Sequence, residues 1–306
     1  KYHELFESQG RDDSNLTFKL IKKMIEEKGY DFVYNKLPTK DNHTCIFWNV
    51  NHNDSIYRYL KSVYTWIRYR TSELKIILSF KMNKKNYKAK SICVLLESEA
   101  VMPELYYKKQ YLDFDKTYTC NPDLILDDSM VLCRIPFSNC SKKYKKTSYQ
   151  EKKLLCIIAY NKSSNTVGEL YSERLKAINH FSSRLMGDFD LYGFGWDSSF
   201  PAYKGSVANK IETLSGYKFS IVFENISNAK GWVTEKIFDC FKAGVIPVYY
   251  GAPDICQYIP NNCFIDFREF SSYYDLEEYL LSFSKKEYDA YLSSINEYLE
   301  SDSYKE

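Results

Sequence analysis

The chain has 306 residues, a length that predicts two globular domains, each able to bury a sizeable core. Hydrophobic residues make up 44% and charged residues 27%, with only 11 Gly and 8 Pro, which excludes collagen-like, linker-like and broadly disordered chains. The formal net charge is only +2, so no strong field recruits nucleic acid or an anionic membrane. We therefore expect no nucleic-acid partner and only local recognition of any ligand.

Helices and buried strands alternate in the first half of the chain, as expected for an α/β domain with a parallel sheet. Their apolar spacing predicts, in chain order, a helix at 13–29, strands at 30–35 and 45–50, a helix at 55–69, a strand or helix at 74–80, and strands at 91–97, 118–126 and 131–135. The polar run at 139–153 is interpreted as a linker.

The second half of the chain begins the alternation again. It predicts a strand at 154–160, a helix at 169–185, strands at 190–195 and 218–224, a helix at 235–242 ended by Gly244, a strand at 245–251 and a last helix at 276–299. The predicted fold is therefore α/β, with two Rossmann-like domains, 1–150 and 151–306, facing a central cleft. The last helix is expected to pack back on the N-terminal domain.

Ligands of open parallel sheets bind beyond the carboxyl ends of strands, beside the N-termini of helices. Glu224 and Asn225 follow the strand at 218–224, and Thr234, Glu235 and Lys236 begin the next helix. Free backbone N–H groups, the helix dipole and the lysine ammonium could hold a phosphate there, while a carboxylate could accept hydrogen bonds from ribose or sugar hydroxyls. Alternatively, Glu235 and Lys236 are ordinary surface charges of a first helical turn.

The stretch at 219–270 contains, in order, FEN, VTEK, AG, IPVYYGAP and P-x-x-C-F-I-D. This ordered set resembles the donor-binding signature of the α-1,3/1,4-fucosyltransferases, glycosyltransferase family 10. The resemblance extends more weakly over 169–178, 188–196 and 95–103. It implies a GT-B fold in which the C-terminal domain binds GDP-fucose, the N-terminal domain binds the acceptor, and the sugar carbon is inverted.

The resemblance also implies roles for individual residues. Glu224 and Asn225 would line the donor, Glu235 would bind ribose or fucose hydroxyls, and Lys236 would bind the diphosphate. Trp232 stands where relatives often carry Tyr, so it would offer a ring to the donor without a phenolic hydroxyl.

A second cation is needed because charge builds on the departing phosphate. Arg174 is the first candidate, since a guanidinium pairs bidentately with phosphate; the alternative is a solvated helix arginine. Lys162, just past a predicted strand, is the reserve candidate, and Tyr192 is a further candidate substrate contact.

Inversion by direct displacement requires a base for the acceptor hydroxyl. Glu97, at the end of the strand at 91–97, resembles the glutamate of the family's E-S-P element and is assigned this role. Glu99 stands where the family has proline, so a second carboxylate lies within reach. It either raises the pKa of Glu97 or is itself the base.

No metal is expected to be obligatory, because the four histidines share no metal-ligand spacing and Lys236 already supplies positive charge. Stimulation by Mg²⁺ or Mn²⁺ remains an alternative, since Asp113–Asp115 and Asp188–Asp190 form two D-x-D triplets. The nine cysteines are scattered and never spaced C-x-x-C, so we expect mostly reduced core thiols.

The longest apolar runs, such as 154–160, are shorter than a transmembrane helix, so no membrane span is predicted. A sequon begins at Asn225, where a glycan would obstruct the expected site. This favours the cytoplasm, with weak peripheral membrane association as an option. The chain opens on Lys1, so a removed leader or anchor would instead indicate the Golgi lumen.

The sequence thus predicts an inverting, metal-independent fucosyltransferase that uses GDP-fucose. Its expected acceptor is an N-acetylglucosamine-containing glycan, linked α-1,3 or α-1,4, in polysaccharide biosynthesis or protein glycosylation. The alternatives are a GT-B enzyme with another GDP-sugar and a catalytically inactive glycan-binding relative.

Overall fold

The computed structural model describes residues 45–48, 91–95, 97–107, 109–134 and 147–305. These residues fall into two compact units, the first ending at Arg134 and the second comprising 147–305. The elements predicted at 13–29, 30–35, 55–69 and 74–80, and most of the predicted linker, lie outside the described residues. None of the described helices is long and apolar enough to span a bilayer.

The first unit contains a parallel sheet whose described strands follow chain order. They are β1 (Cys45–Trp48), β2 (Ser91–Val94), β3 (Lys116–Thr119) and β4 (Met130–Leu132), and a short helix, α1 (Pro103–Tyr107), follows β2. Cys93 and Leu95 are buried with Tyr111 and Met130 in one apolar cluster. The strands predicted at 45–50 and 91–97 are present as 45–48 and 91–94, so Glu97 lies three residues beyond its strand and not at its end. The strands predicted at 118–126 and 131–135 are shorter and begin slightly earlier.

The second unit contains five described strands that are all parallel. They are β5 (Lys153–Ile158), β6 (Phe189–Tyr192), β7 (Tyr217–Phe223), β8 (Ile246–Tyr250) and β9 (Ile265–Asp266), in the order β6-β5-β7-β8-β9. In this doubly wound order the winding reverses between β5 and β7, which is where such sheets bind ligands. The predicted α/β class with parallel sheets is confirmed in both units.

Helices cover both faces of this second sheet. They are α2 (Tyr171–Arg184), α3 (Lys210–Ser215), α4 (Glu235–Ala243), α5 (Tyr273–Ser282), α6 (Lys285–Glu300) and α7 (Asp302–Lys305). One apolar cluster joins the sheet to α2 and α5, and another joins it to α3, α4 and α6. The strands are apolar on both faces because both faces are buried, as is usual for a parallel sheet.

Helix boundaries follow local capping chemistry. Gly244 ends α4 with φ of 65°, the left-handed conformation that favours glycine, as predicted. The single helix predicted at 276–299 is wrong, because the chain breaks between α5 and α6. Ser284 caps α6 there: its backbone N–H donates to the Glu287 carboxylate, and its hydroxyl oxygen accepts from the Glu287 backbone N–H. Short helix α3 was not predicted.

One buried carboxylate connects α2 to α5. Glu277, with 7% of its side chain exposed, accepts hydrogen bonds from Arg184 Nε at 3.0 Å and contacts His180 Nε2 at 2.7 Å. The Arg184 guanidinium is the main cause that lowers the pKa of Glu277, and His180 adds to it. The carboxylate is therefore ionised at neutral pH and stabilises the packing of the two helices.

We expect Glu277→Gln to lower the free energy of unfolding by about 2 kcal/mol at pH 7, since hydrogen bonds to a charged group are lost. Because the pKa of Glu277 is lower in the folded state, its ionised carboxylate stabilises the fold fully at pH values above the ordinary carboxyl pKa. The difference in unfolding free energy between parent and variant should therefore shrink as the pH falls from the ordinary pKa through the lowered one. Urea unfolding at several pH values measures this, and Glu278→Gln on the exposed side of the same helix is the control. Equal destabilisation by both variants would contradict the assignment.

Candidate active site

The candidate site lies where the sheet of the second unit changes winding direction. A small cavity of about 50 Å³ opens between the carboxyl halves of β5 and β7 and the helices α3 and α4. Three cationic side chains, Arg174, Lys210 and Lys236, and one carboxylate, Asp239, line it together with strand residues. This combination suits an anionic ligand that also carries hydroxyl groups.

Glu224 follows β7 directly and is fully buried. Its carboxylate accepts hydrogen bonds from the backbone N of Thr234 at 2.9 Å and from the Thr234 hydroxyl at 2.8 Å, and it pairs with Lys236 Nζ at 2.8 Å. The expectation that Glu224 lines the donor therefore does not match its position. The carboxylate instead holds the first turn of α4 against the end of β7, because a buried charge must be paired to be tolerated.

Arg174 reaches the same strand end from α2. It is buried, and it donates to the carbonyl oxygen of Phe223 through Nε at 3.0 Å and Nη2 at 2.7 Å. Nη2 also donates to Asn225 Oδ1 at 2.8 Å. Burial lowers the pKa of Arg174 somewhat, but a guanidinium keeps its charge at neutral pH. The alternative of a solvated helix arginine is therefore wrong.

Lys236 and Glu235 occupy the first turn of α4 as expected. Lys236 Nζ donates to the Thr234 hydroxyl at 2.8 Å as well as to Glu224, and 28% of its side chain is exposed. Burial acts to lower the pKa of Lys236, but the carboxylates of Glu224 and Glu235 raise it above its ordinary value. The ammonium is thus both ionised and accessible.

The Glu235 side chain is 47% exposed, so it can contact a ligand. Partial burial raises its pKa, but the ammonium groups of Lys236 and Lys210 outweigh this effect and lower the pKa to about 2. Glu235 is therefore a carboxylate at any working pH and can only accept hydrogen bonds.

Lys210 lines the cavity but belongs to no motif in the sequence. It is the first residue of α3, and its Nζ lies 3.5 Å from Asp239 Oδ2 and 3.8 Å from Glu235 Oε1. The Asn209 cap predicts a helix start at this point, but no local pattern shows that α3 packs beside α4.

Trp232 is buried in the turn before α4, with only 3% of its surface exposed. Its indole Nε1 has no hydrogen-bond partner among the residues that the structure describes. An unpaired buried N–H is costly, and here neither this atom nor the ring is presented on the surface.

The other two predicted substrate contacts of this unit lie away from the cavity lining. The Tyr192 hydroxyl lies 2.8 Å from the Tyr217 hydroxyl. Tyr217 is the first residue of β7, at the end of the strand opposite the candidate site. Tyr217 in turn donates to the buried Asp190 at 2.6 Å. Lys162 follows β5 and its Nζ lies 5.1 Å from the ring centroid of Tyr160.

The predicted bases, Glu97 and Glu99, follow β2 in the first unit. Glu97 is half-buried, and its backbone carbonyl accepts a hydrogen bond from the Tyr106 hydroxyl at 2.7 Å, whereas Glu99 is exposed. The Tyr106 bond holds the backbone of Glu97 against α1.

No cluster of three His, Cys, Asp or Glu side chains suited to a metal ion occurs among the described residues. Of the D-x-D triplet at 188–190, the Asp190 carboxylate pairs with Lys153 Nζ at 2.8 Å inside the fold. The described cysteines are free thiols, and most are buried.

The model of the family described as glycosyltransferase family 10 (fucosyltransferase) C-term matches residues 137–302, more than half of the chain. The chain therefore belongs to glycosyltransferase family 10. The match covers the whole site described in the second unit.

Curated relatives match shorter segments. The chain is 36% identical over 75 residues to alpha-(1,3)-fucosyltransferase FucT of Helicobacter pylori, covering 24% of this chain and 16% of that protein. It is 38% identical over 82 residues to GDP-fucose protein O-fucosyltransferase 3 of Bos taurus, covering 26% and 17%. The matched segments thus span about a sixth of the length of these relatives.

Solved structures resemble larger parts of the chain at lower identity. A crystal structure of an alpha1,3-fucosyltransferase with GDP has a TM-score of 0.47 at 16% identity and covers 86% of this chain and 84% of that one. A structure titled as the same enzyme with GDP-fucose has a TM-score of 0.45 at 16% identity, covering 88% and 94%.

Gly251 restricts the position of Glu224. A Cβ at Gly251 would lie 2.5 Å from the Tyr249 hydroxyl and 2.6 Å from Glu224 Cγ, both in fully buried side chains. We expect Gly251→Ala to lower the free energy of unfolding by about 1–3 kcal/mol and to weaken binding of an anionic ligand at the site, because Glu224 must shift. Thermal unfolding and calorimetric titration with GDP measure both effects.

The matched control is Gly216→Ala, where a Cβ would lie 3.5 Å from the Thr213 carbonyl oxygen, an ordinary contact. If the two variants bind GDP equally well, the close packing at Gly251 does not control the site.

Proposed function

We propose that this protein is an inverting fucosyltransferase that moves L-fucose from GDP-fucose to a hydroxyl of an N-acetylglucosamine-containing glycan, through an α-1,3 or α-1,4 linkage. The observation that carries the proposal is the pair of held cations, Arg174 and Lys236, at the end of β7 in a segment that belongs to family 10. The proposed pathways are polysaccharide biosynthesis or protein glycosylation.

In this proposal the two cations stabilise the leaving group. When the bond between fucose and GDP breaks, negative charge develops on the terminal phosphate oxygen. The charges of Lys236 and Arg174 would neutralise it. Both side chains are already hydrogen-bonded to the protein, so little reorganisation is needed when the charge appears.

The neighbouring groups would orient the donor. The ionised and half-exposed Glu235 would accept hydrogen bonds from the ribose diol or from fucose hydroxyls. Asn225 remains a proposed donor contact through its half-buried side chain, and Trp232 would donate its unpaired indole N–H. Lys162 and Tyr192 stay proposed substrate contacts with weaker support, because the Tyr192 hydroxyl bonds to Tyr217 and the Lys162 ammonium lies over the Tyr160 ring.

The acceptor hydroxyl must lose a proton as it attacks. We assign this proton to Glu97, with Glu99 as the alternative base. The half-buried position of Glu97 and the bond that fixes its backbone support the first choice.

The remaining expectations about the protein's setting also stand as proposals. We propose that no metal is obligatory, although Mg²⁺ or Mn²⁺ could stimulate turnover, and that the protein works in the cytoplasm or loosely at a membrane. A removed leader or anchor would place the same chemistry in the Golgi lumen.

The donor assignment is tested by calorimetric titration with GDP-fucose, GDP-mannose and UDP-galactose in EDTA, followed by product analysis with N-acetyllactosamine. We expect binding selective for GDP-fucose, with turnover.

Lys236→Met should lower GDP affinity at least tenfold, because a charge-assisted phosphate contact is lost. Lys242→Met, near the other end of α4, is the control.

The other possible results of the titration distinguish the alternative functions. Binding of GDP without preference for fucose would favour another GDP-sugar, and selective binding without turnover on any acceptor would favour an inactive glycan-binding relative. Failure to bind GDP would refute the proposed donor site.

The base assignment is tested by a pair of variants. We expect Glu97→Gln to lower kcat about 100-fold or more while the KM for GDP-fucose changes little, because only proton transfer is lost. Glu99→Gln should retain activity within a few-fold of the parent. Steady-state kinetics would show the reverse order if Glu99 is the base, and an unimpaired Glu97→Gln enzyme would exclude Glu97.

A further inference from the structure

Three charged side chains from two helices meet beside the cavity. Lys210 comes from α3, while Glu235 and Asp239 lie one turn apart on α4. The Lys210 side chain is 23% exposed, that of Asp239 is 16% exposed, and that of Glu235 is 47% exposed. The exposed fraction thus increases from Asp239 through Lys210 to Glu235, the carboxylate that can contact a ligand.

The position of Lys210 is unfavourable for its own helix. A cation at the first residue of a helix faces the positive end of the dipole. The two carboxylates on α4, four residues apart, also repel each other. Placing the Lys210 ammonium between them offsets both costs, so α3 and α4 are joined by charge as well as by apolar packing.

The distances show that the ammonium is shared. Nζ lies 3.5 Å from Asp239 and 3.8 Å from Glu235, longer than the usual hydrogen-bond length. Lys236, by contrast, lies 2.8 Å from both Glu224 and Thr234. The charge of Lys236 also acts on Glu235, but its hydrogen bonds go to Glu224 and Thr234. Lys210 is the ammonium that lies within ion-pair distance of the Glu235 carboxylate and can orient it.

We infer that Lys210, held by Asp239, is a positioning residue that orients the Glu235 carboxylate toward the ribose diol of a bound nucleoside diphosphate. The inference rests on the proposed function, because it takes the cavity to be the donor site. It assigns Lys210 no contact with the diphosphate itself, which distinguishes it from Arg174 and Lys236.

The test compares GDP with 2′-deoxy-GDP by calorimetry. The parent protein should bind GDP about tenfold or more tightly, since the missing hydroxyl removes a hydrogen bond to a charged acceptor. Lys210→Met should lower GDP affinity toward that of the deoxy compound and leave 2′-deoxy-GDP affinity nearly unchanged. Lys210→Arg should restore part of the discrimination.

Two further variants supply a second test of the Lys210 role and a control. Asp239→Asn should reduce the same ratio by a smaller factor, because it loosens Lys210 while leaving the ammonium present. Lys204→Met removes a lysine whose Nζ lies 3.6 Å from Asp190 and that is absent from the cavity lining, so both affinities should match the parent.

Three outcomes would refute the inference, and the last of them would refute the proposed function as well. If Lys210→Met weakens GDP and 2′-deoxy-GDP by the same factor, Lys210 acts on the phosphates or on the fold, and the inference is wrong. If the parent binds both nucleotides equally, the proposed contact of Glu235 with the diol is wrong, and so is the inference. If the parent binds neither nucleotide, the proposed function itself fails.

Discussion

The buried carboxylate of Glu224 is the constraint around which the second unit is organised. A charged group with no solvent exposure costs several kcal/mol unless it is paired, and here its partners come from Thr234 and Lys236. Those partners begin α4, so satisfying the carboxylate fixes the start of that helix against the end of β7. Gly251 supplies the space, because a larger residue would collide with the Glu224 side chain.

Charge at the site is arranged so that each cation is held before a ligand arrives. Arg174 is bonded to a backbone carbonyl and an amide, Lys236 to a carboxylate and a hydroxyl, and Lys210 lies between two carboxylates. In the proposed function, Arg174 and Lys236 contact the diphosphate, whereas Lys210 acts through Glu235. Preorganisation of this kind lowers the cost of stabilising charge that appears only during a reaction.

Much of the fold could be predicted because its signals are local. Buried strands are continuous apolar runs, α2 and α4 follow helical spacing, and Gly244 marks a helix end that requires positive φ. The break between α5 and α6 was missed, since the apolar spacing of the two helices continues across it while the Ser284 cap interrupts the backbone.

The sequence by itself determined the α/β class, the segment that carries the site and, through the ordered motifs at 219–270, the family. Only the tertiary structure decided that Glu224 is buried, that the Tyr192 hydroxyl bonds inside the fold, and that Lys210 faces α4. The reason is physical: periodicity and capping act over a few residues, whereas burial and ion pairing depend on which helix faces pack together, and these contacts join residues far apart in the chain.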